Sequence, residues 1–399
     1  MTGPLLSPQD LEVRRQHGDI VILDATVELA PAAHDGDHRS VSGLAGWRRA
    51  HIPGSRHADL LHTLSDPAAP YHFAAPSPEA LAAALHDLGV RDGIPVVTYD
   101  RAGGLWAARL WYLLDWLGLE SYVLNGGLPA WQSAALPVAS TREAPAGSGG
   151  PYAGPEGAVR ASWDREVAGT RGAPAGSGGP YAGPEGAVRA SWDREVAGTR
   201  GASAGSGGPY AGPEGAVRAS RDRESAALPG AGGRGASAGS EGSLGALETP
   251  LGASRAGGIT VRAKGGRWVG AGELRAWLAG DVDATVVCAL NPEAYAGEVP
   301  TRYSRRGHIP GSGNLPARSL TGADGRFLPE PELRAALGDL VDDPAPVWLY
   351  CGGGISATVV ALALAVVGRS DVALYDGSLE EWSADPALPL ELGRAGSAA

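Results

Sequence analysis

The sequence predicts an α/β protein of two similar domains joined by a repeat-containing segment that we expect to be disordered. Three observations support this. Apolar strand-like runs alternate with helical patterns in both halves, one set of motifs occurs twice at matched spacing, and glycine is concentrated in the middle. The chain has 399 residues, of which 43% are hydrophobic, so each half can bury a core.

The two halves contain the same kinds of element. In the first half, strands are predicted at 20–23, 96–99 and 121–124, and helices at 79–88 and 105–117. In the second half, strands are predicted at 285–289, 347–350 and 372–375, and helices at 273–279, 331–340 and 356–367. Continuous apolar strands separated by helices indicate a parallel sheet that is covered on both faces.

Residues 141–258 differ from the rest of the chain. They hold 29 of the 61 glycines, and a unit of 29 residues recurs there, with Gly-Gly-Pro-Tyr starting at 149, 178 and 207. Each unit offers few apolar side chains to bury against a neighbour, which disfavours a solenoid. We therefore predict a flexible linker between domains at 1–140 and 259–399, with an ordered or partner-binding segment as the alternative.

Matched motifs indicate that the two domains arose by duplication. The sequence HIPGS starts at His51 and again at His308, and the run VVTYD, which ends at Asp100, matches VWLYC, which ends at Cys351. Both Asp100 and Cys351 are followed 25 residues later by similar segments, NGGL and DGSL, that lead to Trp131 and Trp382. Asp100 therefore occupies the position that Cys351 has in the second half.

Composition excludes several classes of protein. A formal net charge of −11 argues against a nucleic-acid partner. Two cysteines, Cys288 and Cys351, exclude a disulfide scaffold and a cysteine-rich zinc module, and we predict no metal and no cofactor. The longest apolar run, 357–367, is too short to cross a bilayer, and the N-terminus does not resemble a secretory signal. We expect a cytoplasmic protein with no membrane contact.

Cys351 is the predicted catalytic residue, because it ends a strand and precedes a glycine-rich turn into a helix. Open α/β sheets place their binding and catalytic sites at the carboxyl ends of the strands. The turn comprises Gly352, Gly353, Gly354, Ile355 and Ser356. Its backbone N–H groups and the helix N-terminus favour a thiolate or persulfide anion. The alternatives are a small buried residue beside a turn, and a phosphate-handling loop. Ala357, where such a loop needs an arginine, argues against the latter.

These motifs resemble those of tandem rhodanese-family sulfurtransferases over both halves. The resemblance implies two domains, each with a five-stranded parallel sheet, of which the first lacks the cysteine. It also implies that Cys351 accepts a sulfane sulfur from thiosulfate or 3-mercaptopyruvate and passes it to cyanide or a thiol, with a thioredoxin-like reductant as a candidate partner. The alternative is a catalytically weak module that binds or relays persulfide sulfur for a protein partner.

The chain departs from the family pattern around the donor site. CGGGIS is closer to the mercaptopyruvate-type loop, but Gly353 replaces its hydroxyl residue. The places where relatives carry an aspartate and arginines read Cys288, Leu290, Ala294 and Ala296.

Other residues must therefore anchor an anionic donor. The candidates are Arg109, Arg302, Arg305 and Arg306, each of which could equally be a solvated surface residue. His51 is a candidate for proton transfer, although a turn-capping role would explain both HIPGS copies. We expect Asp59 to act indirectly, Asp376 and Trp382 to be structural, and Cys288 to be an inert buried thiol.

Overall fold

The computed structural model describes residues 3–18, 20–141, 254–256 and 258–394. Apart from residues at its two ends, the predicted linker 141–258 lies outside the described residues, as do its repeats. The described chain forms two parallel five-stranded sheets with helices against them, which confirms the predicted fold class.

The first half builds its sheet in the order β1-β7-β6-β2-β5. Its strands are β1 (Leu5–Leu6), β2 (Val21–Asp24), β3 (Val27–Leu29), β4 (Ser40–Ser42), β5 (Arg56–His57), β6 (Val96–Tyr99) and β7 (Ser121–Leu124), with β3 and β4 forming a separate antiparallel pair. Its helices are α1 (Pro8–His17), α2 (Leu44–Arg49), α3 (Pro78–Asp87), α4 (Leu105–Trp116) and α5 (Gly127–Ser133). Helix α1 starts at Pro8 because the Ser7 hydroxyl accepts a hydrogen bond from the Asp10 N–H.

The second half repeats this arrangement in the order β10-β14-β13-β11-β12. Its strands are β8 (Ser254–Ala256), β9 (Ile259–Val261), β10 (Trp268–Val269), β11 (Thr285–Cys288), β12 (Gly313–Asn314), β13 (Val347–Tyr350) and β14 (Val372–Tyr375), with β8 and β9 paired apart from the sheet. Its helices are α6 (Ala271–Ala279), α7 (Pro292–Tyr295), α8 (Glu330–Leu337), α9 (Ser356–Val366) and α10 (Ser378–Ala384). The helix predicted at 331–340 ends at Leu337, because Gly338 takes a positive φ of 55° and a 3₁₀ turn follows.

The two halves pack against each other through α4 and α9. Both helices are apolar around almost their whole circumference, a pattern typical of buried helices. Ala107, Ala108 and Trp111 of α4 belong to one buried cluster with Ala357 and Val359 of α9. This packing brings the loops that precede α4 and α9 to the boundary between the halves.

The HIPGS motif fixes the residue that precedes each loop. In the first half, the Ser55 hydroxyl lies 2.8 Å from the Tyr99 hydroxyl, which also accepts the Ile52 N–H. In the second half, Ser312 and the Ile309 N–H contact the Tyr350 hydroxyl in the same way. The motif is therefore structural in both copies, since it anchors the last residue of the strand.

Buried histidines should make folding sensitive to mild acid. Burial lowers the pKa of His38, His57 and His308 below the ordinary value of 6.5, so the folded chain holds them neutral. The unfolded chain then binds more protons, and the free energy of unfolding should fall as pH drops through about 6.5. Chemical denaturation between about pH 7.5 and 5.5 measures this. His308→Gln should flatten the dependence, and an unchanged slope would contradict the assignment.

Candidate functional site

Cys351 directly follows β13 and is buried. The chain then turns into α9 through Gly354, whose φ is +72°. A Cβ at Gly354 would lie 2.8 Å from the Asp376 carbonyl oxygen, so both the backbone angle and the space require glycine. The structure thus places Cys351 at the carboxyl edge of the sheet, as predicted.

The Ser378 hydroxyl holds the Cys351 loop in shape. It accepts hydrogen bonds from the N–H groups of Cys351 and Gly354, each at 3.1 Å, and donates to the Tyr375 carbonyl at 2.8 Å. Ser378 has a φ of 48°, which is unusual for a residue with a side chain. No motif in the sequence predicts this role. The only available signal was the serine at the position of Gly127 in the duplicated motif.

The equivalent loop of the first half is filled by its own carboxylate. Asp100 accepts four backbone hydrogen bonds, from Ala102, Gly104, Trp106 and Ala107, at 2.7 to 2.9 Å. Burial raises the pKa of Asp100, and these four donors oppose that effect. The loop geometry therefore provides converging N–H groups that bind an anion.

Because the two halves are duplicated, the N–H donors around Asp100 have counterparts in the Cys351 loop. With Asp100 aligned on Cys351, three of the four donors correspond to the N–H groups of Gly353, Ile355 and Ala357. In the described part of the chain, these three N–H groups have no other hydrogen-bond acceptor. The N–H of Gly354, which we expected to face the sulfur, instead binds Ser378. The arrangement suits a thiolate or persulfide anion on Cys351.

Arg109 binds the Cys351 loop from the first half. Its Nη2 lies 2.7 Å from Asp376 Oδ1 and donates to the Phe73 carbonyl at 2.6 Å, and its Nη1 is 3.4 Å from the Gly354 carbonyl. Asp376 also accepts the Ala75 N–H at 2.7 Å. Arg109 is almost fully buried, and its charge is paired with that of Asp376. Its contacts position the Cys351 loop.

The other candidate arginines are also engaged by the protein. Arg305 donates to the carbonyls of Ser383, Asp385 and Leu388. Arg306 pairs with Asp35 at 2.8 Å, and Arg302 donates to the Ala30 carbonyl. These contacts favour structural roles over donor binding.

His51 is held by contacts with Trp47. Its Nδ1 donates to the Trp47 carbonyl at 2.8 Å, and its ring stacks on Trp47. His308 has the same arrangement on Tyr295. The turn-capping interpretation therefore accounts for the contacts of both histidines.

A group of titratable residues that no motif predicted lies beside the Cys351 loop. His72 of the first half hydrogen-bonds to Glu380 of the second, and its ring stacks on that of His38, with centroids 3.6 Å apart. A Cβ placed on Gly353 would lie 3.2 Å from Glu380 Oε2, and the Glu380 N–H binds the Gly352 carbonyl. No sequence spacing could reveal this group, because its members are far apart in the chain.

Cys288 faces away from Cys351. It pairs in register with Tyr350 and packs with it on one face of the sheet, whereas Cys351 packs with Val287 and Ala289 on the other. Burial raises the pKa of the Cys288 thiol to about 12, so it stays protonated at neutral pH. The structure agrees with the prediction of an unreactive thiol.

Comparisons with known proteins identify the family. The model of the rhodanese-like domain matches residues 7–134 and 289–385, so the chain belongs to the rhodanese-like family. An Azotobacter vinelandii thiosulfate sulfurtransferase is 35% identical over 151 residues, 37% of this chain and 48% of that protein. The Escherichia coli 3-mercaptopyruvate sulfurtransferase is 26% identical over 375 residues, 94% of this chain and 92% of that one.

Solved structures confirm the fold. The crystal structure of SseA from Escherichia coli matches 94% of this chain and 99% of its own, with a TM-score of 0.56 and 20% identity. Together these findings support a sulfurtransferase, and they leave the donor and the acceptor open. Among the described helices, none is long and apolar enough to cross a membrane.

Removing the Asp100 carboxylate should destabilise the first half strongly. Asp100→Ala leaves four N–H groups without this acceptor, three of them buried, and each buried one costs about 1–3 kcal/mol. We expect a loss of at least about 3 kcal/mol in the free energy of unfolding, measured by urea denaturation. The matched variant Cys351→Ala should cost clearly less. Equal losses for the two variants would contradict the difference between the loops.

Ser378 should control the shape of the Cys351 loop. Ser378→Ala orphans the N–H groups of Cys351 and Gly354 and should slow alkylation of Cys351 by iodoacetamide about tenfold. Ser378→Gly also removes the hydroxyl but suits the positive φ, so it should be as slow while unfolding at higher temperature than Ser378→Ala. An alkylation rate at the parent value in both variants would rule out this role.

Proposed function

We propose that this chain transfers sulfane sulfur through a persulfide on Cys351. The observation that carries the proposal is the pair of equivalent loops. One binds the Asp100 carboxylate through four N–H groups. In the other, three aligned N–H groups, those of Gly353, Ile355 and Ala357, have no backbone acceptor among the described residues. A site that holds a carboxylate in this way suits a sulfur anion of the same charge.

The reaction has two half-steps in this proposal. The Cys351 thiolate attacks the outer sulfur of thiosulfate, the S–S bond breaks, and sulfite leaves with the bonding electrons. With 3-mercaptopyruvate, the C–S bond breaks instead, and the pyruvate enolate leaves and takes up a proton. Cyanide or a thiolate then attacks the outer sulfur of the persulfide and regenerates the Cys351 thiolate. The names of the relatives support both donors.

The second candidate is a catalytically weak module that binds or relays persulfide sulfur for a protein partner. The engaged arginines favour it, because Arg109, Arg305 and Arg306 all bind protein groups instead of being free to hold an anionic donor. On this alternative, a protein persulfide or a thioredoxin-like partner supplies or removes the sulfur. Both candidates assume the same organisation, with domains at 1–140 and 259–399 joined by the linker 141–258.

Thiocyanate formation tests the proposal and separates the two candidates. The parent should convert cyanide to thiocyanate with at least one of the two donors, measured side by side. Cys351→Ser should lower the rate to background, because only the thiolate carries the sulfur. Cys288→Ser should keep most of the rate.

The outcomes decide between the candidates. No turnover of either donor by the folded parent, with transfer from a protein persulfide, would favour the relay module. Activity in Cys351→Ser and its loss in Cys288→Ser would overturn the assignment of the nucleophile.

A further inference from the structure

His38, His72 and Glu380 lie together beside the Cys351 loop. One ligand atom from each residue lies within 4.8 Å of the others. The two histidines come from the first half and the glutamate from the second, where its N–H binds the Gly352 carbonyl. Two imidazoles and one carboxylate form a donor set that binds zinc and leaves a fourth position open.

The surroundings of this group leave room for an ion. His38 Nδ1 is buried and has no hydrogen-bond partner among the described residues. No protein group in the described chain engages this nitrogen, so it can bind an ion. His72 is half exposed, and its Nδ1 contacts Glu380 Oε1. An ion can therefore reach the His72 ring from solvent.

We propose that His38, His72 and Glu380 form a binding site for a divalent transition metal of the zinc class that inhibits the Cys351 site. The two rings are nearly parallel, at 8°, whereas a metal lies in the plane of each imidazole it binds. The exposed His72 ring therefore turns out of the stack when the ion enters between it and Glu380. The three ligands, which approach to about 3–4 Å of one another around one ion, draw the two halves together over the loop.

Inhibition follows from the position of Glu380. Its carboxylate lies against Gly353, and its backbone is bonded to Gly352. An ion on this carboxylate lies beside Gly353, two residues from Cys351, and in this proposal it obstructs the sulfur donor. This consequence rests on the proposed function, whereas the binding itself does not.

Zinc binding is measured first in the full chain carrying Cys351→Ser, because a thiolate is itself a zinc ligand. Isothermal titration with Zn²⁺ at about pH 7.5 should show one site per chain. In that background, His38→Ala and Glu380→Gln should each weaken binding about tenfold or more. The matched control is His62→Ala, because His62 also pairs with a carboxylate, Asp59, at 2.9 Å. His62→Ala should leave Zn²⁺ binding as it is in Cys351→Ser alone.

The outcomes separate this inference from the proposed function. Zinc should inhibit thiocyanate formation by the parent, and Glu380→Gln should need about tenfold more zinc for the same inhibition. Binding that is absent in Cys351→Ser, or unchanged by both His38→Ala and Glu380→Gln, would overturn the site. That result would leave sulfur transfer by the zinc-free protein untouched, while a chain that binds zinc here but transfers no sulfur would overturn only the function.

Discussion

The site depends on one buried ion pair, Arg109 with Asp376, which crosses between the two halves. Arg109 also binds the carbonyls of Phe73 and Gly354, and Asp376 accepts the Ala75 N–H. The segment that carries His72, the Cys351 loop and the start of α10 are thereby fixed to one another. A buried charge left without its partner is costly, so this arrangement holds only while both residues are present.

At the equivalent position of the first half, the hydrogen bond to the other half is present but the ion pair is not. There the Asn125 side chain accepts the Phe327 N–H at 2.8 Å, as Asp376 accepts that of Ala75, but Val360 stands where Arg109 stands. In the first half, the Asp100 carboxylate fills its own loop, and the uncharged Asn125 makes the contact to the other half. In the second half, Cys351 takes the place of Asp100, and the charged Asp376 makes the contact through Arg109. The two loops have thus diverged: the Asp100 carboxylate fills one of them, and in the other three aligned N–H groups have no backbone acceptor among the described residues.

The place of Cys351 in the fold was predictable because the signals are local: a buried strand, a cysteine, glycines and a helix follow one another directly. The fold was predictable for the same reason, since periodicity and the duplicated motifs are local or evenly spaced. The tertiary partners were not predictable. The Ser378 hydroxyl binds backbone groups of a distant loop, His72 meets Glu380 across the two halves, and Arg305 binds carbonyl groups that no pattern marks. Two-residue strands such as β1 are too short to show periodicity.

The central claim is that sulfur is carried on Cys351, and peptide mass analysis tests it most directly. The protein is incubated with a sulfur donor, freed of excess donor, alkylated and digested. The account predicts one added sulfur atom on the peptide that contains Cys351, lost on treatment with cyanide, and none on the peptide that contains Cys288. Sulfur on Cys288, or turnover with an unmodified Cys351 throughout, would contradict it.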